Sequence, residues 1–452
     1  MKKFLNRIGL TVFTLFLLSP TFAQAVEVSF EEDPSLPIVY LNVAIRAGAV
    51  ADPSGQSGLT NFMGEMLLRG TRNRTKEQID LALDQIGARL EIETRSEALI
   101  LRGAVLSSQL DPFLDLVKEI ITQPSFPESE IRKLKAETVS HILEELGSDS
   151  TLATRRFTKI LFRNHPYGKP VIGTIKDINA LTRDQIAQQY SRLANNSLML
   201  AVGTGDTSRG KISTWVNDLF PNQKASGNKE FKVTAPENPP AKRLVLIDKP
   251  DRTQTQINAG QIGVLLTNPD FFPLYLGNYA FGGPSFSARL MVEIRVKRGW
   301  SYGANSNFRH GLQPRSWQVH LFPAAKDTVA ATAYTLKLVD QLKESGITDQ
   351  EYQFSKQSLV NKSGFMYDTP KKRVENKLLE GTLNLPDGFM KSYGEKIGKV
   401  ELAQVNAALR KFLKPDQLTV TVLGTAKDLK EPLAKAVGVP LDKVEVIPYT
   451  QE

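Results

Sequence analysis

The feature of this sequence that most restricts its fold is that the second half repeats the element order of the first. After a helix in each half comes a similar short segment, F-P-E-S-E-I at residues 126–131 and I-T-D-Q-E-Y at residues 347–352. Each half also closes with an apolar run, residues 200–204 and 420–425, that is typical of a buried strand. A tandem duplication of units of roughly 200 residues explains these matches together.

Hydrophobic periodicity predicts the same alternation of elements in both halves. The first half is predicted to contain strands at 38–44, 89–95 and 98–105, and helices at 59–68, 112–121 and 128–145. The second is predicted to contain strands at 256–264, 302–308 and 317–322, and helices at 272–280, 288–297, 330–343 and 349–362. The predicted fold class is α+β: two homologous α/β halves, each a mainly antiparallel sheet packed with helices.

Local composition predicts where each half begins and ends. Residues 226–240 are rich in Asn, Lys, Pro and Gly and are predicted to form a linker between residues 26–225 and residues 241–452. Residues 1–25 have a basic start, a short apolar core and the small residues Ala23 and Ala25, which together predict a cleaved signal peptide. The alternative is a membrane anchor, but the apolar run is shorter than the roughly 20 residues a span needs.

Charge and cysteine content restrict the binding partners, the chemistry and the cellular location that this chain can have. Removal of residues 1–25, which carry three basic residues and no acid, would lower the net charge from +9 to +6. The basic residues are scattered, so we expect no nucleic-acid partner and at most a mild attraction to an anionic surface or peptide. The chain has no Cys, which excludes disulfides, thiol catalysis and Cys-ligated zinc. The expected location is periplasmic or secreted, without a stable membrane anchor.

Residues 58–71 read G-L-T-N-F-M-G-E-M-L-L-R-G-T, and this stretch resembles the zinc helix of the pitrilysin/insulinase metallopeptidase family. Active members carry G-L-x-H-F-x-E-H-M-L-F-x-G-T there, which contains the inverted H-x-x-E-H zinc motif. The stretches at 143–146, 165–174 and 281–302 resemble further family segments in the same order. The resemblance covers about residues 30–430 and implies a clam-shell arrangement of two halves.

The departures from the family motif concern the zinc site itself. Asn61 and Glu65 stand at the two His positions, and Gly64 stands at the position of the general base. Zinc hydrolysis needs imidazole ligands and a carboxylate that takes the proton of the bound water. The resemblance assigns Glu144 to the third zinc ligand. We therefore expect no zinc in this chain and no peptidase activity of the chain alone.

Asn61, Glu65 and Glu144 could still bind another metal, since the first two share a helix face at four-residue spacing. Calcium and magnesium prefer oxygen ligands but normally need six or more. The alternative, which the residues favour, is a polar remnant in which Asn61 and Glu65 are hydrogen-bonded or hydrated. His165 lies in a Pro-Tyr-Gly loop without a second His, and we expect it to hold that loop.

The second half keeps a different part of the family site. Arg295 and Tyr302 match the Arg/Tyr pair whose role in the family is to bind the scissile carbonyl and stabilise the oxyanion. The alternative is an ordinary surface Arg and a strand Tyr. Gly282 and Gly283 precede the pair and are expected either to contact substrate or to form only a permissive turn.

The resemblance thus implies the non-catalytic subunit of a heterodimeric metallopeptidase. A zinc-bearing homologous partner would supply the metal, this chain would supply Arg295 and Tyr302, and the substrates would be unfolded peptides. The alternative is a zinc-free scaffold or peptide-holding protein of the same fold, as in a respiratory complex. An active peptidase with an unusual metal is disfavoured, because the base is missing.

Overall fold

The computed structural model describes residues 26–195, 198–220 and 232–451. The predicted signal peptide, residues 1–25, lies outside the described residues, as do residues 226–231 of the predicted linker. The described remainder of that linker, residues 232–240, contains neither helix nor strand.

The first half forms one mixed sheet with helices packed on it. Its strands are β1 (Glu27–Glu32), β2 (Ile38–Ile45), β3 (Arg89–Thr94), β4 (Leu99–Leu106) and β5 (Met199–Gly205). Its helices are α1 (Leu59–Leu67), α2 (Lys76–Gln85), α3 (Leu110–Thr122), α4 (Glu128–Gly147), α5 (Asp149–Phe162), α6 (Ile175–Ala180), α7 (Arg183–Leu193) and α8 (Arg209–Asn217). The strand order is β1-β5-β2-β4-β3, in which β1 and β5 are parallel and the other neighbours are antiparallel.

The second half repeats this plan. Its strands are β6 (Arg243–Asp248), β7 (Gln256–Ile262), β8 (Ser301–Phe308), β9 (Ser316–Pro323), β10 (Thr419–Gly424) and β11 (Glu445–Pro448). Its helices are α9 (Phe271–Gly282), α10 (Thr328–Ser345), α11 (Asp349–Ser363), α12 (Pro370–Thr382), α13 (Tyr393–Gly398), α14 (Leu402–Phe412) and α15 (Ala426–Val437). The strand order β11-β6-β10-β7-β9-β8 reproduces the first sheet, with β11 added at one edge. The predicted fold class, two homologous halves with mainly antiparallel sheets, is confirmed.

The repeated segments found in the sequence begin equivalent helices. Residues 126–131 lead into α4, and residues 347–352 lead into α11. At the second site Thr348 and Glu351 form a capping box: the Thr348 hydroxyl accepts from the Glu351 N–H at 3.2 Å, and the Glu351 carboxylate accepts from the Thr348 N–H at 2.8 Å. Two of the backbone donors that a helix leaves unpaired are satisfied in this way, which explains why α11 starts there.

The two halves exchange helices. Helix α5 of the first half packs against β7 and β10 of the second sheet, where Leu152 and Ala153 meet Ile247 and Leu423. Helix α12 of the second half packs against β2 and β5 of the first sheet, with Val374 and Leu378 in contact with apolar strand residues. Each sheet is therefore buried on one face by its own helices and on the other by a helix of the opposite half, so the halves form one interlocked body.

The helix predicted at residues 288–297 differs from expectation. Residues Met291–Val296 form a π-helix, in which the Lys297 N–H donates to the Val292 carbonyl at 2.9 Å, five residues back. The wider turn changes the direction of the side chains that follow it. Short π-helical turns are rare and occur often at functional sites, and this one carries Arg295.

Candidate functional site

Helix α1, which carries the altered zinc motif, begins at a firmly held turn. Gly58 precedes the helix with a φ of 91°, and a Cβ at this position would lie 2.7 Å from the Gly173 Cα, so a residue with a side chain would be strained there. The buried Asp52 carboxylate accepts the N–H groups of Gly58 and Thr60 at 2.8 Å each and the Thr60 hydroxyl at 2.6 Å. Burial raises the pKa of Asp52 to about 6, although these hydrogen bonds oppose the rise.

Asn61 and Glu65 lie on one face of α1, as their spacing predicts, and they are bonded to each other. The Asn61 amide donates to the Glu65 Oε1 at 2.8 Å. Burial raises the pKa of Glu65, and the Asn61 hydrogen bond opposes this. Within the described ranges, no group of three His, Asp or Glu side chains is placed to hold a metal ion. The residues present do not fit zinc, because neither ligand position offers an imidazole.

The position of the missing base is filled by a neighbouring side chain. A Cβ at Gly64 would lie 2.4 Å from the Leu99 Cδ1 and 3.2 Å from the Ile92 Cγ2, both on the strands beneath α1. Leu99 is fully buried. A glutamate at position 64 therefore requires Leu99 to move, and this steric obstacle is not visible in the motif itself.

Glu144 does not line the cavity that Asn61 and Glu65 line. Glu144 is exposed on α4, and it is absent from the wall of the cavity of about 920 Å³ beside α1. Two other α4 residues, His141 and Glu145, line that cavity with Asn61 and Glu65. His141 and Glu145 stand four residues apart and therefore lie on the same face of α4, a face that does not include Glu144. The sequence contained this spacing, but the family pattern drew attention to Glu144.

His165 holds its loop, as expected. Its Nδ1 accepts the Tyr167 N–H at 3.1 Å, and its Nε2 lies 2.7 Å from the Thr234 carbonyl oxygen. Because Nδ1 is an acceptor, Nε2 carries the proton and donates to Thr234. One ring nitrogen thus holds the loop internally, and the other connects the loop to Thr234 in the segment between the two halves.

Arg295 and Tyr302 lie side by side in the second half. The Arg295 guanidinium stacks 4.0 Å from the centroid of the Tyr302 ring, and on its other side the Phe286 ring centroid is 5.1 Å away. Tyr302 is 74% exposed and Phe286 is 70% exposed. The sequence motif did not identify Phe286. The only clue to this residue in the sequence is its position in the loop after Gly282 and Gly283. The half-buried Arg295 guanidinium thus contacts two exposed aromatic rings.

The π-helix that carries Arg295 is anchored by Glu293. Its carboxylate accepts from Lys297 at 2.6 Å, Arg298 at 2.7 Å and the Tyr334 hydroxyl at 2.8 Å. Although burial alone would raise it, these hydrogen bonds lower the pKa of Glu293 to about 2. The Arg298 guanidinium also stacks 3.6 Å from the Tyr334 ring centroid. This network leaves Arg295, on the same short helix, facing outward.

Gly282 and Gly283 are buried and cannot offer a surface to a peptide. A Cβ at Gly282 would lie 2.4 Å from the Ser306 Oγ, and one at Gly283 would lie 2.7 Å from the Tyr279 carbonyl oxygen. Their expected contact with substrate is therefore not supported. Gly282 allows the end of α9 to approach Ser306 of β8, the strand that carries Tyr302, whereas Gly283 packs against Tyr279 of α9.

The two parts of the ancestral site do not meet within this chain. Asn61 and Glu65 line the cavity beside α1, whereas neither Arg295 nor Tyr302 does. An oxyanion donor must lie within hydrogen-bond reach of the reacting carbonyl. A group bound in the α1 cavity therefore does not contact Arg295 or Tyr302 as part of the cavity wall.

Two protein-family models match the chain. The model described as Insulinase (Peptidase family M16) matches residues 27–175, and the model described as Peptidase M16 inactive domain matches residues 180–359. Together they cover most of the chain. The boundary between them falls on α6, so the second model begins within the first half and continues into the second.

Similar proteins agree with these matches. A Helicobacter pylori protein named non-peptidase homolog YmxG is 24% identical over 438 residues, which span 94% of this chain and 99% of that protein. The crystal structure of a peptidase M16 inactive domain from Pseudomonas fluorescens superposes with a TM-score of 0.82, at 23% identity over 89% of this chain and 96% of that one. The periplasmic protease PqqL from Escherichia coli gives a TM-score of 0.72 at 13% identity, over 90% of this chain but 48% of its own.

Proposed function

Because the chain belongs to peptidase family M16, the insulinase family, and carries no base on its zinc helix, we propose that it is the non-catalytic subunit of a two-chain zinc metallopeptidase. In this proposal a homologous partner supplies the zinc ion and the base. This chain supplies Arg295 and Tyr302, which contact the peptide at the scissile carbonyl. The substrates are unfolded peptides, and the setting is the periplasm or the medium outside the cell.

The observation that carries the proposal is the exposed Arg295–Tyr302 pair. The half-buried Glu293, Arg298 and Tyr334 hold the π-helix in place, yet Tyr302 beside Arg295 is left largely to solvent. Preorganised donors of this kind stabilise an oxyanion, because they need no rearrangement when charge develops. A pair with only a packing role would have no reason to be 74% exposed at Tyr302.

The surroundings of the pair also favour a contact surface. Phe286, Val296 and Tyr302 are 70%, 66% and 74% exposed, and they flank Arg295 in structure or sequence. Exposed apolar groups beside arginine are common where proteins bind peptides or other proteins. We therefore assign these side chains to a contact with a peptide or a partner subunit. In the described part of the chain, no helix is both long and apolar enough to span a bilayer.

The interlocked halves support a partner chain. Helices α5 and α12 tie the two sheets together, so one half cannot close over the other as a separate shell. The chain aligns with about half of PqqL, whose length therefore provides for a second unit of similar size. We propose that a chamber forms when this chain pairs with a homologue.

The test is to mix the purified chain with a homologue that carries an intact H-x-x-E-H motif. Peptidase activity of the mixture well above that of the homologue alone is expected, together with a stable complex in size-exclusion chromatography. A complex without any gain in activity would contradict the proposal. That result would favour the alternative, in which this chain is a scaffold or peptide-holding protein of the same fold.

A further inference from the structure

The loop at residues 283–288, which joins α9 to the helical segment with the π-turn, presents an aromatic ring to solvent. Phe286 lies in this loop and is 70% exposed, and its ring centroid is 5.1 Å from the Arg295 guanidinium. The hydroxyl oxygens of Ser285 and Ser287, on either side of Phe286, are 2.7 Å apart, and the Ser287 N–H donates to the Ser285 hydroxyl at 3.2 Å. These bonds fold the loop on itself and fix the position of Phe286.

A second exposed phenylalanine borders the same loop from α11. Before the loop, the hydroxyl oxygens of Tyr279 and Ser358 are 2.9 Å apart, and after it Arg289 is paired with Glu351 at 2.6 Å. The loop therefore runs along α11 between these two contacts. Phe354 stands three residues after Glu351 and four before Ser358, so it projects from the same side of the helix. It is 51% exposed, and it extends the apolar surface of the loop.

The carboxylates on either side of this surface are already paired with cations of the chain. Glu351 accepts from Arg289 at 2.8 Å and 2.6 Å. Glu293 accepts from Lys297 at 2.6 Å and from Arg298 at 2.7 Å. A basic side chain of a ligand would have to displace these partners, whereas an apolar side chain needs only to cover the exposed rings. The surface therefore favours apolar groups over basic ones.

We propose that Phe286 and Phe354 select peptides with an aliphatic or aromatic side chain next to the carbonyl that Arg295 and Tyr302 bind. This inference rests on the proposed role of the Arg295–Tyr302 pair. In an extended peptide, consecutive residues are about 3.3 Å apart and their side chains alternate between two sides. A side chain beside the bound carbonyl can therefore reach the Phe286 ring, 5.1 Å from the guanidinium. Contact between the two removes apolar surface from water, which stabilises the complex.

The proposal is tested by fluorescence anisotropy with the purified chain and three labelled, amidated peptides that differ only at two central positions. These positions carry leucine and phenylalanine, serine and glutamine, or two lysines. The apolar peptide is expected to bind about tenfold more tightly than the polar one, with little dependence on salt, and the basic peptide no more tightly than the polar one. Equal affinities, tightest binding of the basic peptide, or no binding of any peptide would overturn the proposal. The measurement needs no partner, so it can fail while the mixed subunits still form an active peptidase, and the reverse.

Truncation of the two rings locates the site. Phe286→Ala and Phe354→Ala are each expected to lower the affinity for the apolar peptide about fivefold, whereas Phe286→Leu, which keeps an apolar side chain, should lower it less than twofold. The matched control is Leu81→Ala, since Leu81 is 56% exposed on α2 of the first half. Affinities of both alanine variants within twofold of the control would overturn the assignment. So would a dimer of the unmodified chain that both alanine variants abolish without a change in peptide affinity, because the surface would then bind a second copy.

Discussion

At the scale of single residues, the absence of a base at Gly64 is reinforced by packing. Gly64→Glu is expected to lower the free energy of unfolding by about 1–3 kcal/mol, because its Cβ would lie 2.4 Å from the Leu99 Cδ1. The measurement is urea denaturation. The matched control is Gly147→Glu, at the end of α4, where a Cβ meets nothing within 4 Å. In the Leu99→Ala background the loss should shrink, and an unchanged loss would contradict the steric account.

The zinc positions themselves give a second prediction at this scale. The unmodified chain should contain no stoichiometric zinc by elemental analysis. Asn61→His/Glu65→His places two imidazoles on one face of α1 and can recruit the metal. Peptide hydrolysis should nevertheless stay at background, since loss of a general base typically costs about 10²–10⁴ in rate. Robust hydrolysis by this variant would mean that another residue takes the role assigned to position 64.

The sequence predicted contacts between residues of the same helix, but it did not predict contacts between residues of different elements. The shared face of Asn61 and Glu65 follows from helical spacing alone, and the structure confirms it. The contact between Gly64 and Leu99 joins residues on different elements and could not be read from the motif. Glu144 was chosen by its place in a pattern, but the rotation of α4 against α1 places His141 and Glu145 at the cavity instead.

At the scale of elements, the π-helix Met291–Val296 depends on the charge of Glu293. The pKa of this carboxyl is lowered from 4.5 to about 2, so the ionised form is the one that the fold stabilises. Its contribution is complete above about pH 4.5 and is lost as the pH falls toward 2. The difference in unfolding midpoint between the unmodified chain and Glu293→Gln should therefore be larger at pH 7 than at pH 3. A difference that does not change with pH would contradict this role of Glu293.

The internal repeat of the sequence predicted the two sheets better than it predicted the helix at residues 288–297. The repeated segments and closing strands predict two sheets of the same plan, and both sheets have the same strand order. The sequence predicted an ordinary helix at residues 288–297, because apolar spacing does not distinguish a π-turn from an α-turn. The anchors of that turn, Arg298 on Tyr334 and Glu293 with Tyr334, connect distant segments.

At the scale of the whole molecule, the exchanged helices α5 and α12 should make unfolding cooperative. Phe157→Ala is expected to lower stability by about 3–5 kcal/mol, because Phe157 is fully buried in the cluster between the halves. Calorimetry should show one transition for both halves, shifted to lower temperature. The control is Phe354→Ala, since Phe354 is 51% exposed. Two separate transitions, only one of them shifted, would contradict the interlocked arrangement.

The exchange of helices was beyond the reach of the sequence. The sequence analysis predicted no helix at residues 149–162 or 370–382, and periodicity in any case does not say which sheet covers a helix. Hydrophobic periodicity and local composition predicted two similar halves joined by a linker. The way they are joined is decided by residues about 270 to 330 positions apart that share a buried cluster, such as Ala153 with Leu423 and Val374 with Ala44.

In the proposed two-chain peptidase, Arg295 and Tyr302 act on the reaction at the zinc ion of the partner chain. The most direct test is kcat of the reconstituted two-chain peptidase with Tyr302→Phe or Arg295→Ala in this subunit. An oxyanion donor binds the transition state more tightly than the ground state, so each variant should lower kcat about 10²–10³-fold while subunit association is unchanged. The matched control, Arg410→Ala, changes an exposed arginine on α14 and should leave kcat unaltered. A kcat unchanged by both substitutions would contradict the claim and leave this subunit as a wall of the chamber.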